Sequence, residues 1–386
     1  MEDGKRQGSG VSKQSLWEMR MTRRRLLRNT GVGAAGLFGG AAFLAACSSN
    51  KPSGGGSSAA SSSINVGFAY IGPVADNGWT FTHDEGRKAM ETALGSKVKS
   101  TFVENVPISA EAGQTFEQLA STSELVVANT EYANYLSDVA ANHPDVAFLE
   151  CDGHTYTDNL FAFYVEHVAP NYLLGVAAGM LAKSGKIGYV GAFPSATAFN
   201  DTNPMLLGAR TVNPNASVKA VLINSFFDPQ KATAATNALI DGGAEFIFSV
   251  MDEPSFLQVA EKRGVWGAAW NLDIRTFGPT AYVNTYQLEW GDFYTEQAQK
   301  VLDGTWTAEK EVHLLPLSLG TWGDNVPKDV QDAVAAAKTK VEGGLNPYTG
   351  PLTDTKGVVR LKEGETLSAV QAYTIDWSLQ GVTGVA

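Results

Sequence analysis

The stretch INVGFAYIGPVADNGWTFTHDEGRKAMETALG, Ile64 to Gly95, decides the fold. Its apolar start reads as a strand that stops at the Gly72-Pro73 turn. Its end, KAMETALG, reads as a helix closed by glycine. Trp79 stands where the strand hands over to the helix. A tryptophan at such an edge either stacks on a flat ligand or plugs the core. Gly78 and the polar neighbours Asn77 and Thr80 favour exposure into a cleft.

The same alternation continues along the chain. Short apolar runs recur at 66–71, 99–103, 125–129, 147–150, 160–165, 186–192, 218–224, 246–250 and 267–271. Helical stretches separate them. DPQKATAATNALIDGG has Pro229 near its start, apolar Ala232, Ala235, Leu239 and Ile240 on one face, and glycines at its end. YLLGVAAGMLAKSG is so apolar that it should be buried between layers. Strands alternating with helices imply parallel sheets covered on both faces. The strands are too many for one ordinary sheet, and the series restarts at SGKIGYVGAF. The expected fold class is therefore α/β, with two doubly wound parallel-sheet lobes over 64–168 and 169–285. Residues 286–386, with a helix over 290–302 and the strand EVHLLPL, are expected to return to both lobes.

The N-terminal segment stands apart. TRRRLLRN precedes a Gly/Ala-rich apolar run that ends in LAAC at Cys47. Basic residues, a short apolar core and small residues read as an export signal over 1–46. The paired arginines resemble a twin-arginine signal, and Leu-Ala-Ala-Cys resembles a lipobox that would make Cys47 the lipidated first residue. The apolar run is shorter than the roughly 20 residues that span a bilayer. GVGAAG within it matches GxGxxG, but no strand precedes it, so it carries no weight as a dinucleotide motif. A Gly/Ser-rich tether fills 47–63. The whole chain carries −11; residues 1–46 hold eight Lys/Arg and three Asp/Glu, so the remainder carries −16. That argues against nucleic acid as a partner. Cys151 is the one other cysteine, so no internal disulfide forms after Cys47.

In open α/β sheets a ligand sits beyond the carboxyl ends of the strands. The residues at those ends are Gly72, Pro73, Asp76 and Trp79; Glu131 and Tyr132; Pro194, Phe199, Asn200 and Asp201; Ser225 to Asp228; Asp252 and Glu253; Asn271 and Asp273. They are aromatic and acidic, with asparagine beside them. This suits a flat, hydrogen-bond-donating, neutral or cationic ligand rather than a phosphate, which would want cations or bare glycine amides. Catalytic signatures are missing. The five histidines lack metal-ligand spacing, and there is no HExxH, GxSxG or Walker-type loop. No enzyme activity, metal or cofactor is expected.

GPVADNGWTFTHDEGR, AAGMLAKSGKIGYVGAFP, NSFFDPQKATAATNALIDGGAEFIF and LDGTW together resemble the basic membrane lipoprotein family. These are lipid-anchored substrate-binding proteins of ABC importers. The resemblance runs from about Val66 to WSLQGV near the C-terminus. It implies a type I periplasmic-binding-protein fold with a hinge, purine bases or nucleosides as ligands, an ABC permease and its ATPase as partners, and a monomer at the extracytoplasmic face of the cell membrane. The branch it most resembles binds adenine or other purines. By this resemblance Trp79 matches a stacking tryptophan, Phe226 falls where relatives carry a second stacking aromatic, often Trp, and Asp252 falls on the base-binding aspartate.

As a ligand residue, Asp252 would accept from an exocyclic amino group and a ring N–H and would reject an oxo group there. As a plain structural residue it would cap a helix. Asn271 and Asp273 would meet a ribose or the base edge, or serve turn chemistry. Tyr70, Tyr132, Phe193 and Asn200 are candidate walls, and His83 a support for Trp79. Phe227 is expected to face away from Phe226, as neighbours on a strand do. A sugar ligand remains open, since aromatics also pack on pyranose faces. So do a sensing lipoprotein and, with no motif behind it, an enzyme of nucleoside metabolism.

Overall fold

The structure is a computed structural model that describes residues 62–76 and 78–385. The signal segment, Cys47 and nearly all of the tether lie outside the described residues, as does Asn77. No helix among the described residues is long and apolar enough to cross a membrane.

The first lobe is built from β1 (Ile64–Ala69), α1 (Trp79–Leu94), β2 (Val98–Val103), α2 (Glu111–Ala120), β3 (Leu125–Ala128), α3 (Asn134–Asn142), β4 (Ala147–Cys151) and β5 (Leu160–Val165). Every residue of β3, β4 and β5 is buried, because helices cover both faces of the sheet. The edge strand β2 is half open to solvent. The second lobe follows with α4 (Val168–Leu181), β6 (Lys186–Gly191), α5 (Ala196–Arg210), β7 (Ser217–Leu222), α6 (Pro229–Asp241), β8 (Phe246–Ser249), α7 (Ser255–Arg263), β9 (Trp266–Asn271) and β10 (Tyr282–Gln287). The remaining elements are α8 (Gly291–Leu302), β11 (His313–Leu315), α9 (Lys328–Glu342), the antiparallel pair β12 (Leu352–Thr353) and β13 (Val359–Leu361), a short α10 (Ala369–Ala372) and β14 (Val382–Thr383).

Two six-stranded sheets result, ordered β11-β5-β4-β3-β1-β2 and β10-β9-β8-β6-β7-β14. All pairings within them are parallel. The chain passes between the lobes after β5, after β10 and after β11. Helix α8 packs on α1 of the first lobe, whereas α9 packs on α4 of the second.

Helices α4 and α5 form the tightest helix pair, and two glycines explain it. A Cβ on Gly175 would collide with the Met205 carbonyl oxygen, and one on Gly208 with the Tyr172 carbonyl oxygen. With no side chain at either crossing point the backbones approach directly. Most residues of both helices are buried as a result.

Candidate functional site

The turn before α1 is organised by one carboxylate. Asp76 accepts from the backbone N–H groups of Gly78 (2.8 Å), Thr80 (3.0 Å) and Phe81 (2.9 Å). A negative charge at the exposed amides of a helix start stabilises both the turn and the helix. Trp79 is thereby fixed as the first helical residue, and its indole N–H donates to the Asn129 carbonyl at 2.6 Å.

Its ring meets partners from both lobes. His83 (4.6 Å, 70°) and Trp290 (5.5 Å, 81°) pack edge-on against it. Trp270, at the end of β9 in the second lobe, lies nearly parallel to it, with centroids 5.6 Å apart and planes at 15°. Tyr164 stands 6.2 Å away at a tilt. Trp79 keeps part of its surface open, whereas Trp270 is buried.

Asp252 comes from the loop after β8. It caps no helix: α7 begins at Ser255, where Glu253 accepts from the Ser255 N–H at 2.8 Å. The Asp252 backbone N–H donates to the Phe226 carbonyl (2.9 Å), and its side chain faces Gly78 across the cleft. Burial, then the Asp76 charge, pushes its carboxyl up to about 8; hydrogen bonds from the Trp79 backbone N–H and the Asn271 side chain pull the other way. Asn271 adopts a left-handed backbone (φ 77°), a conformation asparagine tolerates. That turn lets its Nδ2 donate to Asp252 Oδ1 at 3.3 Å, while its own Oδ1 is buried with no hydrogen-bond partner.

The structure thus brings Trp79, Asp252 and Asn271 together between the lobes. Phe226 sits beyond the end of β7, in a loop and not on a strand, so the expected strand-like alternation with Phe227 does not arise. Both rings are exposed, and Phe226 meets Phe193 edge-on at 5.7 Å with no ring contact to Trp79 among the described residues. The Asp273 carboxylate is gripped by the Arg275 guanidinium at 2.6 Å, which also donates to the Trp322 and Thr321 carbonyls. Tyr70 lies in the core of the first lobe with its hydroxyl toward Asp84 (3.4 Å), and Tyr132 is likewise buried, donating to the Val106 carbonyl. Asn200 has both ends of its amide engaged: Nδ2 donates to the Ala372 carbonyl (2.7 Å), and Oδ1 accepts from the Tyr348 hydroxyl (3.0 Å).

Beneath the cleft runs a buried polar floor. Asp201 accepts from the Asn171 amide (2.9 Å) and the Tyr189 hydroxyl (2.8 Å), and contacts His167 Nδ1 at 2.9 Å. His167 stacks on Tyr164, which links this floor to the Trp79 cluster. Sequence reasoning missed two parts of the site. Trp270 lies within the apolar strand run 267–271, and only the docking of the lobes sets it against Trp79. Gly78 was read for exposure, not for what it faces.

The geometry is that of a closed cleft between two lobes, with an aromatic face, a carboxyl and an amide oxygen converging from opposite sides. Comparison with known proteins bears on what it holds. The family model described as PnrA-like ABC transporter substrate-binding protein, Bmp, matches residues 63–342. The chain belongs to this family. Bmp proteins are substrate-binding components of ABC transporters, not enzymes, and operate outside the cytoplasm. A purine-binding protein of Brucella abortus is 36 % identical over 330 residues, covering 83 % of this chain and 93 % of that one. A Haloferax volcanii protein, described as a candidate glucose-binding component of an ABC transporter, is 32 % identical over 72 % of each chain. Among solved structures, an ABC transporter solute-binding protein of Conexibacter woesei aligns with a TM-score of 0.58 at 21 % identity, covering 73 % of this chain and 97 % of that one. One from Aeropyrum pernix reaches 0.62 at 15 % identity, covering 73 % and 92 %. Both share the two-lobed parallel-sheet fold that this Bmp chain was expected to have.

Proposed function

We propose that this Bmp protein is the lipid-anchored binding component of an ABC importer and holds a purine base or nucleoside between its lobes. Cys47 carries the anchor, and the permease with its ATPase receives the ligand from the closed form. The observation that carries the reading is the convergence of Trp79 and Asp252 across one cleft. An indole face stacks on any base, and stacking contributes about 1–3 kcal/mol. A carboxyl with an adjacent amide oxygen accepts from the amino edge of a purine. Phe226 covers the ligand at the mouth, while Asp273, Asn200 and Tyr70 support the walls. The purine-binding Brucella relative, similar over nearly its full length, supports the same class.

The glucose reading rests on the Haloferax relative, and aromatic cleft residues also suit a pyranose. Calorimetric titration with adenine, hypoxanthine, adenosine, guanosine, ribose and glucose separates the two. Tight binding of a purine or nucleoside with none of ribose or glucose is the expected result. Binding of glucose without any purine would replace this reading by the sugar one.

A further inference from the structure

We propose that Trp270 contacts the ligand and sets its specificity: its indole N–H donates to a purine ring nitrogen beside an amino group held by Asp252 and Asn271. This rests on the purine reading above. It adds a residue, and with it a second contact behind the preference for a 6-aminopurine over a 6-oxopurine expected of Asp252.

Three indoles meet at the cleft, and their N–H groups are treated differently. Trp79 donates to the Asn129 carbonyl, and Trp290 to Thr82 Oγ1 at 3.2 Å. Trp270 Nε1 is buried with no hydrogen-bond partner, although the whole residue is only 6 % exposed. A buried donor left unsatisfied is strongly unfavourable, so native sites rarely retain one without use. Trp270 also lies nearly parallel to Trp79 from the opposite lobe, one residue before Asn271.

Asn271 supplies the second half of the rule. Its Nδ2 donates to Asp252, which leaves Oδ1 as an acceptor. The site therefore presents acceptors from Asp252 and Asn271 and a donor from Trp270. Adenine offers the complement, a donating amino group flanked by accepting ring nitrogens at N1 and N7. Hypoxanthine places an accepting oxygen where the amino group would be, and that oxygen would face the Asn271 amide oxygen, which can only accept.

The test titrates the full chain and its Trp270→Phe variant with adenine, hypoxanthine, 1-deazaadenine and 7-deazaadenine. Phenylalanine keeps a smaller ring opposite Trp79 and removes the N–H, and the deaza analogues separate the lost hydrogen bond from the lost ring area. The expected result is adenine preferred over hypoxanthine in the parent, and about tenfold weaker adenine binding in W270F. One deaza analogue should then bind parent and variant alike, because its contacted nitrogen is gone. Adenine binding unchanged in W270F, or weakened equally for every analogue, overturns the role of Trp270 while leaving the purine reading intact. A parent chain that binds no purine overturns both. If W270F does not fold, the indole 15N–1H resonances of the parent decide. A downfield shift on adding adenine, and none with the matching deaza analogue, supports the donor; no shift with adenine overturns it.

Discussion

Gly78 of the first lobe and Asp252 of the second approach so closely that a Cβ built on Gly78 would lie 2.7 Å from the Asp252 Cβ. The Gly78 φ of −139° is negative, so it is not a left-handed turn that calls for glycine there. What demands it is the neighbour across the cleft. Gly78→Ala should leave each lobe intact and hinder their approach. We expect at least tenfold weaker ligand binding with an unchanged melting temperature, read by calorimetry and thermal denaturation. Parent-like affinity would show that the cleft closes without this contact.

Trp79 contributes the open aromatic face. Removing it in Trp79→Ala should weaken purine binding by at least tenfold, in line with the roughly 1–3 kcal/mol of a base stack. Trp79→Phe should recover part of that loss, since a smaller π-face remains. Equal affinity for the alanine variant and the parent would remove Trp79 from the site.

Asp252 makes closure of the empty cleft sensitive to pH. Its carboxyl is raised from 3.8 to about 8, first by burial and then by Asp76. In an open cleft it meets water and titrates near its ordinary value of about 4. Below about 4 both forms hold the proton, and pH has no leverage. Between about 4 and 8 the closed form binds more protons, so it is disfavoured as pH rises, by at most about 1.4 kcal/mol per pH unit. Above about 8 the dependence ends. Fluorescence energy transfer between dyes on the two lobes should show the unliganded closed fraction falling from pH 5 to pH 8. Asp252→Asn should flatten that profile; an unaltered profile in the variant would assign the effect to another group.

The layered fold was legible because buried parallel strands leave continuous apolar runs, as at Leu125–Ala128 and Leu160–Val165. Trp79 at the first turn of α1 was legible from Asp76, Gly78 and the strand before them. Longer-range relations were not. The edge strand β14 is two residues long, too short for periodicity to register, whereas β11 lies within the strand read from EVHLLPL. Phe226 follows an apolar run, yet β7 stops at Leu222, and strand alternation does not extend into the loop beyond. The stacking of Trp270 on Trp79 joins residues from different lobes, so it exists only once the lobes dock. The hold of Arg275 on Asp273 is local, but it competes with any ligand role in a way that composition at a strand end does not reveal.

The glycine crossing of α4 and α5 yields a stability prediction. Gly208→Ala drives a methyl group into the Tyr172 carbonyl and forces the helices apart. Overpacking of this kind destabilises by about 1–3 kcal/mol. Chemical denaturation should show the loss.

Parallel sheets also give each lobe a direction. The carboxyl ends of the strands line the cleft, so their amino ends point away from it. Ile64 opens β1 at the pole of its lobe farthest from the ligand, and Val382 pairs with Val218 at the corresponding pole of the other lobe. Ile64 and Val382 are thus the tips of two opposed levers whose fulcrum lies at the three chain crossings. A small rotation there becomes a large excursion at the tips, and probes attached to them would register the bending without touching the residues that grip the ligand.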